Sequence, residues 1–295
     1  MWMIFGISAG TILGFYDFWT KKAMHDNGVL PVVFWSALFG ALAWLPSFLP
    51  VAQSVGMYVD LAKTSVAEQS LILVKSLAMT ASWLLAYYSV RELPMSFSGA
   101  VRASGPLWTL LAGAIVFGEM LAPIQLVAVG SSVGAYYILS IAGRKEGIRV
   151  LSSRPVAMMV GATVLSAMTT VYDKFIVQSL GTPAYAVQAY SAIDRCILSL
   201  AVLLLATRTR PVRRSVRWDI YIPLVGLSWV AAELVYFYAI QDPAANVTYL
   251  SIFRRTSLVV GFLLSAALIG EKNVPAKSFV VAIIVLSTIM MVMSR

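Results

Sequence analysis

Ten successive apolar stretches, each about 20 residues long, divide this 295-residue chain almost from end to end. They fall near 3–23, 29–50, 70–90, 96–117, 122–142, 156–179, 184–206, 219–240, 245–269 and 274–293. At a rise of about 1.5 Å per residue, each is long enough to cross the hydrocarbon of a bilayer as a helix. What remains between them is too short for a soluble catalytic domain. The composition agrees: 60% of the residues are apolar and 12% charged, more than a water-soluble domain of this size needs to fill its core. Lipid offers backbone amides no partner, and the stretches lack the polar alternation of barrel strands. The expected class is therefore all-α and integral to the membrane, with ten transmembrane helices. The opening MWMIFG has no basic n-region, so the first stretch is expected to be a retained helix rather than a signal peptide.

The formal charge of +9 must first be sorted by membrane side. An even number of spans puts both termini on one side. The loops after spans one, three, five, seven and nine hold Lys21, Lys22, Arg91, Arg144, Lys145, Arg149, Arg154, Arg208, Arg210, Arg213, Arg214, Arg217, Lys272 and Lys277. The opposite set holds Lys63 and Arg295. The richer side is expected to be cytoplasmic and both termini external, in the cell (inner) membrane. The run RTRPVRRSVRW (207–217) reads as an anchor beside anionic headgroups. Membrane lipid is thus the expected partner of the basic charge, and nucleic acid is not. Cys196 is the single cysteine, so no internal disulfide is possible. The single histidine, His25, stands in a loop beside Asp26 and reads as solvated. No metal or other cofactor is implied.

The chain also repeats itself. Gly6, Gly10 and Gly14 precede Tyr16-Asp17, and Ala162, Ser166 and Thr170 precede Tyr172-Asp173 at the same spacing. Small residues at every fourth position line one helix face and end at a Tyr-Asp pair, twice. FGEMLAP around Glu119 answers IGEKNVP around Glu271, and in that register Arg102 falls on Arg254. Two five-helix units follow, 1–142 and 156–295, joined by the basic loop 143–155. An odd number of crossings per unit forces opposite orientations about an axis in the membrane plane, as alternating access requires.

The segment YYSVRELPMSFSGAVRASGPLWTLLAGAIVFGEMLAPIQ (87–125) and its counterpart YFYAIQDPAANVTYLSIFRRTSLVVGFLLSAALIGEKN (236–273) resemble the EamA repeat of the drug/metabolite transporter superfamily. The likeness covers both halves. It rests on a corner before the fourth span, a mid-helix proline and a Gly-Glu step closing the fourth and ninth spans. The resemblance implies a ten-helix secondary carrier of small metabolites, with a central cavity lined largely by spans one, three, four, six, eight and nine. Two departures stand out. Leu258 occupies the place of Pro106 in the second half, and the charge count puts the termini outside, whereas many family members have them inside.

A charge near the bilayer centre costs at least about 2.5 kcal/mol, so each one calls for a partner or a task. Asp17 is a candidate ligand for a substrate amine or a proton carrier; its plainer reading is a pair with Lys21, one turn on. Asp173 has the same two readings, but Lys174 cannot share its face, so its partner must come from another helix. Glu233 has no basic residue three or four positions away and is the preferred proton carrier; the alternative is a buried pair with Arg102, Arg254 or Lys75. In the repeat register Glu233 falls at or beside the place of Trp83. A carboxylate facing an indole suits a substrate with an amino end and an apolar end. Tyr87 and Tyr236 lie about one turn beyond and extend that lining, if they are not simply packing. Arg102 precedes Pro106 by four, so the fourth helix is expected to kink there and expose a carbonyl beside a guanidinium. Arg254 is followed by Arg255, and at least one of them should meet an acid or water. The bland reading of Arg102 and Arg254 is that they lock the halves together. Asp194 and Arg195 diverge as neighbours; each is expected to pair elsewhere and to be structural. Glu119 and Glu271 are expected to serve the fold by capping helix N-termini. Gly130 and Gly134 form a GxxxG on the fifth span that suits packing within the chain or across a dimer.

These readings favour a secondary transporter of small organic solutes, such as amino acids or related amphiphilic metabolites, driven by a proton gradient or by exchange. No GxxxxGK[ST] loop is present for nucleotide. The alternatives are an intramembrane enzyme built on an Asp17–Asp173 dyad, and a channel or lipid-handling protein. Enzymatic chemistry is not expected, since HExxH and a Ser-His pair are lacking.

Overall fold

The computed structural model describes residues 1–60, 64–93, 98, 101–102, 104–119, 122–144, 153–209, 216–268 and 274–293. Among these, every regular element is helical: α1 (Trp2–Ala23), α2 (Val29–Trp44), α3 (Val66–Glu92), α4 (Gly105–Phe117), α5 (Pro123–Arg144), α6 (Arg154–Lys174), α7 (Ala184–Thr209), α8 (Tyr221–Ile240), α9 (Val247–Phe253), α10 (Thr256–Leu268) and α11 (Val274–Met293). Two 3-10 turns follow α2, and α6 ends in the π-helical segment Phe175–Ser179. Among the described residues, six helical segments are long and apolar enough to cross a bilayer: Val29–Phe48, Val66–Glu92, Arg154–Ser179, Ala184–Arg208, Tyr221–Ile240 and Val247–Leu268. Large apolar side chains also face outward along the helices, among them Val74, Leu111, Ile115, Leu205 and Leu263. In water such a surface would be a liability; against lipid it is the expected exterior of a multi-pass membrane protein.

Helix α3 begins earlier than hydropathy indicates because Ser65 and Glu68 form a reciprocal capping box. The Ser65 hydroxyl accepts from the Glu68 N–H, and the Glu68 carboxylate accepts from the Ser65 N–H. That satisfies two amides which an uncapped helix start would leave open.

The fourth and ninth spans are interrupted. Val101 and Arg102 are helical, Ser104 sits in a turn, and α4 starts at Gly105 with Pro106 in its first turn. Pro106 therefore opens a helix instead of kinking one, since its fixed φ and missing N–H suit a first turn. The span expected to run unbroken over 245–269 is two helices, α9 and α10, separated at Arg254-Arg255 by bonds of the three-residue type: Arg255 N–H to the Ile252 carbonyl and Leu258 N–H to the Arg255 carbonyl. No proline is needed there. The Thr256 hydroxyl reaches the Ile7 carbonyl of α1 at 3.2 Å, and Gly10 brings the α1 backbone against Phe253, Arg254 and Thr256. Gly6 and Gly14 continue this contact on Leu250 and Val260. The small-residue face of α1 is thus the seat of the broken span. Gly130 and Gly134 differ: a Cβ added at either meets nothing within 4 Å, so among the described residues the α5 motif is not used for packing.

Helix α1 packs on α8 and α10, α6 on α3 and α4, α2 on α7 and α8, α3 on α7, and α5 on α11. Long-range bonds mark the two ends of this bundle. At one, Asn27 exchanges hydrogen bonds with the Arg217 backbone, and Lys21 donates to the Val90 and Leu93 carbonyls. At the other, Gln178 donates to the Ile240 and Asp242 carbonyls, and Lys174 to the Ala245 carbonyl. The Tyr16-Asp17 pair lies late in α1, toward the Asn27 end. Tyr172-Asp173 lies late in α6, toward the Gln178 end.

Candidate functional site

Toward the Gln178 end, four charged side chains from four helices meet. Lys75 Nζ of α3 lies 2.8 Å from Asp173 Oδ1 of α6, both about 1% exposed. Arg254, at the break of the ninth span, donates Nη2 to Glu233 Oε1 of α8 at 3.0 Å. Gln188 of α7 donates Nε2 to Glu233 Oε2 at 3.0 Å. Aromatic faces cover both cations: Arg254 lies 4.5 Å from the Tyr236 ring and Lys75 4.6 Å from that of Phe237. Two cations and two carboxylates make the cluster neutral, as burial of charge in a low-dielectric interior demands. Beside Gln188, a small cleft opens between α7 and α8, lined also by Met57, Tyr185 and Leu234.

Toward the Asn27 end stands a smaller network. Arg102 donates Nη1 to Asp17 Oδ1 at 2.6 Å. The pair of Asp17 with Lys21 does not form, because the Lys21 ammonium closes the open carbonyls at the end of α3 instead. The hydroxyls of Tyr16 and Tyr87 are bonded at 2.9 Å. Asp17 and Asp173 each hold their own cation, so the two aspartates form no dyad.

Between the networks lies the group that the sequence reading treated as structural. Arg195 extends from α7, about 16 Å along the helix from Ala184 at about 1.5 Å per residue. It is 4% exposed. Its guanidinium lies 5.0 Å from the Trp83 ring and 5.6 Å from that of Trp229, and Nε donates to the Ser191 carbonyl one turn back at 3.1 Å. The expected acidic partner is missing: no carboxylate among the described residues lies within 4 Å, and Asp194 instead accepts from the Ser76 hydroxyl. Among the described residues, Nη1 and Nη2 have no hydrogen-bond acceptor, Nε making the side chain's one bond. The indole N–H groups of Trp83 and Trp229 are buried and unpartnered as well. Tyr16 closes the aromatic cluster, with ring centroids 5.1 Å from Trp229 and 6.4 Å from Trp83; the two tryptophans are 4.9 Å apart, edge to face. A desolvated cation–π contact supplies about 2 kcal/mol. Against it stand about 2.5–3.5 kcal/mol for a cation at mid-bilayer and about 1–3 kcal/mol for each unpaired buried group. The rings alone leave this guanidinium under-compensated.

The sequence-derived candidates thus divide. Asp17, Tyr87 and Arg102 gather at one end, Asp173, Glu233, Tyr236 and Arg254 at the other, and Trp83 lies between. Glu233 takes Arg254, one of the three partners considered for it. Glu119 does not cap a helix; its carboxylate accepts from Lys174 Nζ at 2.6 Å, because α6 brings that ammonium to the end of α4. Glu271 and most of the basic run 207–217 fall outside the described residues. His25 is exposed, beside Asp26. Arg195, Trp229 and Gln188 were missed. Trp229 precedes Glu233 by four and so shares its face, a signal present in the sequence.

Residues 1–141 match the model of the EamA-like transporter family, which bears out the resemblance read from the sequence over the first half of the chain. No curated protein matches the chain. One solved structure, described only as a crystal structure of a protein, aligns over 98% of this chain and 94% of its own with a TM-score of 0.71 and 14% identity. At that identity the likeness speaks for the fold alone.

Proposed function

Because residues 1–141 match the model of the EamA-like transporter family, we propose that the chain is a secondary carrier of the drug/metabolite transporter superfamily, moving small organic metabolites, amino acids or related amphiphilic solutes by alternating access. Its working parts are two five-helix units, 1–142 and 156–295, inverted relative to each other and together making ten spans. The helix contacts support this reading, since α1 on α8 corresponds to α6 on α3, α1 on α10 to α6 on α4, and α2 on α8 to α7 on α3 when the units are exchanged. The termini face outward from a cell (inner) membrane, as the distribution of Lys and Arg argues.

One observation carries the mechanism: register-equivalent Asp and Arg residues build ion-pair networks toward opposite ends of the bundle, with an aromatic cluster between them. Each network closes one side. Opening a side separates its pairs, which is costly unless the substrate or a proton replaces the lost partner. Glu233 is the coupling residue, because its protonation releases Arg254 and frees the Gln178 end to open. Membrane flux is the test. Protein reconstituted in liposomes should take up labelled amino acids saturably and faster under an imposed pH gradient. Glu233→Gln should abolish the gradient effect while leaving exchange. A rate that rises linearly with concentration would mean a channel instead.

A further inference from the structure

We infer that Arg195, held between Trp83 and Trp229, is the carboxylate-recognising group of the substrate site, and that the transported solute is an organic carboxylate with an apolar or aromatic remainder. The inference deepens the carrier reading and relies on it only for calling the ligand a substrate.

Three independent features point to an anion here. First, the cation has no anion of its own. Among the described residues, Lys75 is matched by Asp173, Arg102 by Asp17, Lys174 by Glu119 and Arg254 by Glu233. Second, the guanidinium is fixed but unsatisfied. Its Nε is tied to the Ser191 carbonyl and its plane lies near two indoles, which leaves the Nη1 and Nη2 edge as the free edge. That edge carries the paired N–H groups that a carboxylate accepts in bidentate fashion. Third, the surroundings hold unused donors. The indole N–H groups of Trp83 and Trp229 are unpartnered, and both can only donate. A cation site would need the opposite. The faces of Tyr16, Trp83 and Trp229 then offer the apolar part of the ligand a surface to lie against.

The position agrees. Arg195 lies between the networks, against Trp83, which stands between Lys75 and Tyr87 on α3. A carboxylate bound there is reachable from whichever side is open.

Full-length protein in detergent can be titrated with matched pairs of acid and neutral amide: propionate and propionamide, hexanoate and hexanamide, phenylacetate and phenylacetamide. Tryptophan fluorescence is a suitable readout because two tryptophans line the site. At least one acid should bind about tenfold more tightly than its amide, the charge-assisted bonds being the difference. In Arg195→Gln that preference should fall to within about twofold, because the acid loses charge-assisted bonds where the amide loses only weaker ones; Arg195→Lys should keep part of it, because it retains the charge without the planar fork. A structural role alone would not move this ratio. Loss of the signal in Trp83→Phe, with the other tryptophans intact, locates it. The inference is overturned if no pair shows an acid preference in the native protein, or if Arg195→Gln folds and keeps the preference. Should the variant fail to fold, the native acid-to-amide ratio and Arg195→Lys still decide. Flux separates the two claims: Arg195-dependent acid binding without transport removes the carrier and leaves the site, whereas saturable transport without acid preference does the reverse.

Discussion

Arg102 holds Asp17 directly, at 2.6 Å, whereas Asp173 and Arg254, which occupy the same places in the second half of the chain, each turn to a third residue. Asp173 takes Lys75 and Arg254 takes Glu233. The reason lies in what the neighbouring helices supply. The third and eighth spans contribute Lys75 and Glu233 near the second pair, and four charges then settle into two matched contacts. Among the buried pairs of the described residues, the Asn27 end has one to break and the Gln178 end has three, Lys174–Glu119 being the third, so the ends should differ in how readily they open.

The single pair is the easier one to test. Asp17→Asn should shift the population toward states open at the Asn27 end by about tenfold, the equivalent of about 1.4 kcal/mol, which is within reach of one partly exposed charge-assisted bond. Labelling by a membrane-impermeant maleimide of a cysteine placed at buried Thr20, with Cys196 replaced by alanine, reads this directly. An unchanged labelling rate would show that Arg102–Asp17 does not gate this end.

The Lys75–Asp173 contact makes a different prediction because both partners are almost fully buried. Lys75→Met alone leaves an unpaired carboxylate and should destabilise the protein by about 3–5 kcal/mol, whereas Lys75→Met combined with Asp173→Leu should recover most of that loss. Thermal unfolding in detergent reports both. If the double variant is as unstable as the single one, the pair is not the interaction at stake. If it is stable but transports nothing, the pair belongs to the mechanism.

Much of this arrangement was legible in the sequence, and what was not has physical causes. The duplicated pattern of small residues before Tyr-Asp, which is Gly6, Gly10 and Gly14 in the first copy, marked the face of α1 that now seats the ninth span, because only residues without bulk permit that approach. Ion partners were harder. Lys75 and Asp173 are far apart in sequence, and any of three cations suited Glu233 until the helices were packed. Arg195 was set aside because a neighbouring aspartate suggested ordinary pairing; adjacent helical side chains diverge, and only the fold reveals that the direction of Arg195 holds two indoles and no acid. The break at Arg254-Arg255 lacked the usual signal, a proline or glycine, since Gly10 and the Ile7 carbonyl on another helix stabilise it. The reciprocal Ser65–Glu68 cap was readable and marks the true start of α3.

The glycines supply the last prediction. Gly10 and Gly130 both lie in small-residue repeats, yet a Cβ at Gly10 would overlap the Phe253 carbonyl and the Thr256 hydroxyl, while one at Gly130 meets nothing within 4 Å. Overpacking a close helix contact costs about 1–3 kcal/mol, and here the obstacle is backbone, which cannot rotate away. Gly10→Ala should therefore lower the melting temperature by several degrees, and Gly10→Val should lower it further by prying α1 from the broken ninth span. Gly130→Ala should leave it unchanged or raise it, since alanine is favoured over glycine inside a helix by about 1 kcal/mol. Because Arg254 sits at the break that Gly10 seats, Gly10→Ala should also disturb the Arg254–Glu233 contact and alter the pH dependence of flux. Equal melting shifts for Gly10→Ala and Gly130→Ala would mean that the α1 face does not carry the close contact, and the seat of the ninth span would have to be sought on another helix.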